Sequence, residues 1–185
     1  MVPLTSLAAP IALSAVIVFI ASSVIHMALK YHSNDFKKLP DEDAALEAFR
    51  KLGVSPGDYA APHAGSMEAM KSPAFVEKMA KGPIVTMTVS AGGPLNMASS
   101  LTYWFVYSVV ISLFAAYVTG RMLPEGANYL TVFRVAGTTA FMGYAMALPQ
   151  QSIWFKKSWG TTLTSMMDGL IYALLTGGTF GWLWP

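Results

Sequence analysis

The stretch TSMMDGLIYALLTGGTFGWLW, Thr164 to Trp184, is long and apolar enough to sit in a bilayer, yet it carries an aspartate, Asp168. A carboxylate in hydrocarbon is costly, so such a residue marks either a polar contact that fixes helix register or a site for a proton, a cation or a metal. At about 1.5 Å of rise per helical residue, Asp168 lies roughly 10 Å inside one membrane edge and His26 roughly 6 Å inside the same edge, so the two can meet. Ser22 stands one turn before His26. Tyr172 and Thr176 follow Asp168 on one helical face, with Thr164 before it. Arg134 enters from the opposite side and reaches Asp168 only at full side-chain extension. The expected intramembrane polar site is therefore Asp168, His26, Arg134, Tyr172, Thr176 and Ser22.

Metal chemistry would draw on His26, His32 and His63, the chain's only histidines, together with Asp168. The signal is weak, because a spacing of six does not put His26 and His32 on one face of a straight helix and His63 lies in a Gly/Pro-rich context. Methionines at 67, 70, 79 and 87 suit plastic packing better than soft-metal handling. No G-x-S-x-G elbow, H-E-x-x-H pair or phosphate-cradling loop is present, and no catalytic residue or resident cofactor is expected. The chain has no cysteine, which excludes disulfides and thiolate chemistry.

These residues need elements to hold them, and composition says which. Hydrophobic residues make up 54% of the 185-residue chain and charged residues 12%, about half the charged share of a typical soluble domain. Four stretches could supply spans of roughly 20 residues, the length a bilayer core of about 30 Å requires. They run over 9–29, 102–120, 129–148 and 161–183. The expected fold is an all-α integral membrane protein: a bundle of four transmembrane helices, with residues 1–30 as the first, 31–100 as a cytoplasmic loop or cap, and 101–185 as the other three. A formal net charge of +2 is too small and scattered for nucleic-acid binding.

Topology follows from the lysines. Lys30, Lys37 and Lys38 follow the first span, Lys78 and Lys81 approach the second, and Lys156 and Lys157 lie between the third and fourth, whereas Arg121 alone occupies the other connection. Basic residues stay cytoplasmic, so both termini are expected outside. Trp104, Trp154 and Trp159 would anchor one interface, and Trp182 and Trp184 the other.

The first loop has legible punctuation. In LPDEDAALEAFRKLG, Pro40 and three acids suit a helix start, Arg50, Lys51 and Gly53 suit its end, and Ala45, Phe49 and Leu52 share a face. A second short helix is expected in SPAFVEKMAKG, with Ser72 as N-cap, Pro73 first and Gly82 as stop. GVSPGDYAAPHAGS between them reads as irregular, and GPIVTMTVSAGGP as a short extended segment.

Small residues recur every four positions: Ser165, Gly169, Ala173, Gly177 and Gly181 in the fourth span, Ser108, Ser112, Ala116 and Gly120 in the second, and Thr139, Gly143 and Ala147 in the third. Helices in lipid use such ridges to bring backbones together. The ridges are expected chiefly to pack against one another within the chain, while three ridges in four spans would leave one free for a homo-oligomer or a larger membrane complex.

The segments YHSNDFKKLPDED, SLFAAYVTGR and DGLIYALLTGGTFGWLWP resemble those of a family of small bacterial inner-membrane proteins. The resemblance spans most of the chain and implies a bacterial inner-membrane location and the four-span plan; it brings no activity, cofactor or catalytic residue. The expected function is that of a non-catalytic accessory, assembly or scaffolding subunit acting through helix packing. The alternatives are a small oligomeric proton, cation or small-solute transporter using Asp168, and a membrane metal-binding protein or enzyme using His26 and Asp168.

Overall fold

The computed structural model describes residues 1–94 and 96–185; position 95, inside the expected loop, lies outside the described residues. Helices α1 (Ala8–Ala28) and α2 (Glu42–Lys51) are followed by strand β1 (Gly57–Ala61), helices α3 (Met67–Met70) and α4 (Pro73–Lys81), and strand β2 (Val85–Val89). Helices α5 (Ala98–Met122), α6 (Tyr129–Tyr144), α7 (Pro149–Phe155) and α8 (Trp159–Trp182) complete the chain. Short 3-10 turns cover Leu4–Leu7, ahead of α1, and Lys30–His32, just after it. The chain divides into two compact units, Met1–Phe36 with Asn96–Pro185, and Lys37–Leu95.

In the first unit, α1 and α5 run antiparallel. The Val2 N–H donates to Gly120 O (2.8 Å), Ser14 Oγ to Ser112 Oγ in the buried middle (2.9 Å), and Trp104 Nε1 to Ser22 Oγ at the other end (2.8 Å). The hydroxyl pair lets two polar side chains be fully buried without an unpaired group. Helices α6 and α8 pack more closely still. A Cβ on Gly177 would lie 2.8 Å from Phe133 O and 3.1 Å from Gly137 Cα, and one on Gly181 would meet the Tyr129 ring at 2.7 Å. Backbone therefore touches backbone along this seam, which only glycine permits. Two apolar clusters fill the unit: Leu7, Ala116, Val132 and Phe180 at one end, and Val18, Ile111, Ala140, Tyr144 and Tyr172 at the other.

The four-span expectation is corrected here. Among the described residues only two helices are long and apolar enough to cross a membrane, Leu4–Ala28 and Ala98–Met122. The expected third span stops at Tyr144, because residues 145–148 turn and Pro149 opens the separate α7. Its 16 residues reach only about 24 Å, short of the roughly 30 Å core. Helix α8, with 24 residues, is long enough, but its threonines, glycines and Asp168 leave it less apolar than a span needs.

The second unit is not all-α. Strands β1 and β2 pair antiparallel, with Tyr59 opposite Met87 and Asp58 opposite Thr88, whose Oγ1 donates to Asp58 Oδ1 (2.6 Å). The GDYAA segment, expected to be irregular, becomes a strand through a partner 28 residues downstream at the Tyr59–Met87 pair, a pairing no local pattern announces. The helix starts follow local chemistry: Asp41 accepts from the Ala44 N–H (3.0 Å) at α2, and Ser72 from the Phe75 N–H (3.3 Å) at α4, with Pro73 in the first turn. None of this unit's described residues is buried.

Candidate metal centre

Helix α1 ends at Ala28, where Leu29 turns extended, and the 3-10 turn Lys30–His32 bends the chain back. That bend overcomes the six-residue spacing. On a straight helix His26 and His32 diverge, but here their rings lie 4.6 Å apart between centroids. Asp168, within one turn of the middle of α8 on its N-terminal side, is buried to 4% exposure and faces the same spot.

Asp168 is held at both oxygens. Tyr31 donates its phenol to Oδ1, and His32 Nε2 lies 2.8 Å from Oδ2. The other ring nitrogen of His32, Nδ1, is 2.7 Å from Asp35 Oδ2. His32 thus bridges two carboxylates and is itself mostly buried. Burial opposes its charge, but the hydrogen bond that it donates to Asp35, the charge of Asp168 and the hydrogen bond that it donates to Asp168 outweigh it, so the imidazole is raised above its ordinary value. Partial burial, then the hydrogen bond to Asp168 and its charge, push the Tyr31 phenol up to about 12.

One ligating atom each from His26, His32 and Asp168 falls within a sphere where all lie within 4.8 Å of one another. Bonds of about 2 Å put tetrahedral ligands roughly 3.3 Å apart, so closure asks for a movement on the order of 1 Å. His26 is exposed and free to make it, while His32 and Asp168 are already in contact. Asp35 on Nδ1 orients His32 as outer carboxylates orient metal-binding histidines. Two imidazoles and a carboxylate, with open positions on the exposed side, form the donor set of zinc enzymes and of non-haem ferrous sites.

Among the described residues, none of the other expected residues hydrogen-bonds to Asp168. Ser22 donates to Phe19 O (2.8 Å) and accepts from Trp104, so it serves α1–α5 packing. Arg134 is exposed and has no ion-pair partner among the described residues. Tyr172 is buried one turn from Asp168, its ring 5.5 Å from that of Tyr144, and Thr176 donates to Tyr172 O (2.9 Å), spending its hydroxyl on its own helix. His63 belongs to the other unit.

Most positions of the small-residue ridges face neighbours in this chain; in the third ridge Gly143 meets Ile111, whereas Ala147 is exposed. Gly169 faces Tyr144 and Ala145, Ala173 O faces Gly137, and Gly177 and Gly181 meet α6, while Gly120 faces Val2 and Leu7. Ser108, Ser112 and Ala116 are buried, and Ser165 is half-buried with its hydroxyl on Thr161 O. Trp104 sits among Tyr107, Tyr144 and Tyr172. Trp154, Trp159 and Trp182 are exposed, and Trp184 donates to Pro124 O (3.0 Å).

Sequence reasoning missed Tyr31 and Asp35. Both were visible as YHSND directly after an apolar span, where His32 and Asp35 stand three apart. Three comparisons, with protein-family models, curated proteins and solved structures, find no match to the chain.

Proposed function

We propose that this is a membrane-anchored metal-binding protein whose site is His26, His32 and Asp168, suited to a divalent first-row metal of the zinc or ferrous type. The observation that carries it is the convergence of three ligand atoms from the end of α1, the following turn and α8, with Asp35 placed behind His32. Helices α1 and α5 provide the anchor, and the lysines that follow α1 favour a cytoplasmic position for the site end in a bacterial inner membrane. Gly120, Gly143, Gly169, Gly177 and Gly181 each face a neighbour in this chain, which supports the metal-site reading over an accessory subunit that docks through those glycines.

The test is calorimetric titration of zinc into the full chain in detergent after chelator treatment. One zinc per chain is expected, weakened more than about 100-fold by Asp168→Asn or His32→Gln, since even outer-sphere partners cost about 10–100-fold. Binding that ignores both substitutions overturns the assignment.

A further inference from the structure

The second unit contains a cleft of about 430 Å³ between the end of β1 with the segment after it, helix α4, and Gly82 and Pro83 that lead into β2. Its walls are Pro62, Phe75 and Pro83 with several alanines, and its polar groups include Lys78, Lys81 and His63; no carboxylate lines it. Lys78 and Lys81 are three apart, on one face of α4, where like charges repel. Neither has an ion-pair partner among the described residues: the lysines and arginine that do are Lys38, Arg50 and Lys51. Glu77, four residues before Lys81, is outside the lining and does not pair with it. The helix dipole accounts for basic residues in the last turn of α4. It does not account for their facing a cleft that a third basic side chain, His63, borders from another segment.

We infer that this cleft binds an amphipathic anion: a phosphate or carboxylate head against Lys78, Lys81 and His63, with an apolar body against Phe75, Pro62 and Pro83. The volume suits a small organic ligand. A charged head would pair with two exposed lysines that have no ion-pair partner among the described residues, and the apolar wall separates such a ligand from a bare inorganic ion. The head could belong to a soluble organic phosphate or to an anionic lipid, and the chemistry is shared.

The experiment titrates phenyl phosphate, and separately inorganic phosphate, into the full chain in zwitterionic detergent. Phenyl phosphate is expected to saturate at one per chain and to bind at least about 10-fold more tightly than inorganic phosphate, because the ring buries apolar surface worth more than about 1.4 kcal/mol. The double variant Lys78→Gln with Lys81→Gln is expected to weaken it by about 10-fold or more, whereas Lys78→Arg keeps it. Asp168→Asn should leave it unchanged, which separates this cleft from the metal site. Phosphatidate in mixed micelles that displaces phenyl phosphate assigns a lipid head; failure to displace assigns a soluble ligand. No saturation by about 10 mM, an affinity of a few kcal/mol, equal binding by the double variant, or no preference for phenyl phosphate overturns the inference.

Discussion

Asp168 Oδ2 and His32 Nε2 lie 2.8 Å apart although 136 residues separate them in the chain. The pair joins α8 to the turn after α1, and Asp35 behind His32 converts it into a carboxylate–imidazole–carboxylate series. A metal would take the Nε2 position now facing Asp168, while Asp35 keeps the proton on Nδ1 and so keeps the ring oriented.

From that arrangement, Asp35→Asn should weaken zinc binding by about 10–100-fold without removing a ligand. Competition against a chromophoric chelator measures this. An affinity equal to that of the unchanged protein would mean that Asp35 only closes the local turn.

The same series has a pH signature in the metal-free protein. His32 is raised above 6.5 in the folded chain, so its contribution to stability is complete below that ordinary value and declines as pH rises through the folded one. Thermal unfolding in chelator should therefore show the largest gap between the unchanged protein and His32→Gln at pH below about 6.5. The gap should narrow above neutrality. A gap that widens with pH would contradict a cationic His32 between two carboxylates.

The legible parts of this molecule were those set by local chemistry. Ser72 caps α4 as its residue type dictates, α2 begins beside its acidic run although Asp41 is its N-cap and Pro40 lies outside it, and α1 and α5 are continuous apolar runs. Helix α6 was misjudged because hydropathy averages over Ala145–Leu148, where the chain turns. β1 was invisible because GDYAA has neither alternation nor β-branched residues and depends on a distant partner. At the site, Asp168 and His26 were evident as polar groups in apolar surroundings, but a straight-helix projection separated His26 from His32. The bend at Leu29 reverses that geometry, and with it brings Tyr31 to Asp168.

Residues 30–32 also lie a few residues before the chain leaves the helical unit, since the second unit begins at Lys37. The hydrogen bonds from Tyr31 and His32 to Asp168 tie this exit down. Zinc at 100 times its Kd would stabilise the closed arrangement by about 2.7 kcal/mol, or about 100-fold in population. Trypsin cleavage after Lys37 and Lys38, which are exposed, should slow with zinc and stay fast in Asp168→Asn. Equal cleavage rates with and without zinc, in a chain shown to bind it, would mean the exit is held by something other than the site.

Finally, the α6–α8 seam sets the position of Asp168, because both its neighbour Gly169 and the later Gly177 are in backbone contact range of α6. Gly177→Leu places side-chain carbon where Phe133 O stands, 2.8 Å from the first added atom. Overpacking of this kind costs about 1–3 kcal/mol, and more where backbone cannot yield. Gly178→Ala is the control: its nearest neighbour is the Tyr129 hydroxyl at 3.6 Å, an ordinary contact. Thermal unfolding in detergent should show a lower midpoint for Gly177→Leu and little change for Gly178→Ala. Zinc affinity should fall with the first and hold with the second, because a displaced α8 carries Asp168 away from His32. If Gly177→Leu unfolds at the original temperature, the seam is looser than these distances require, and the rigidity of the site must come from the Tyr31 and His32 bonds instead.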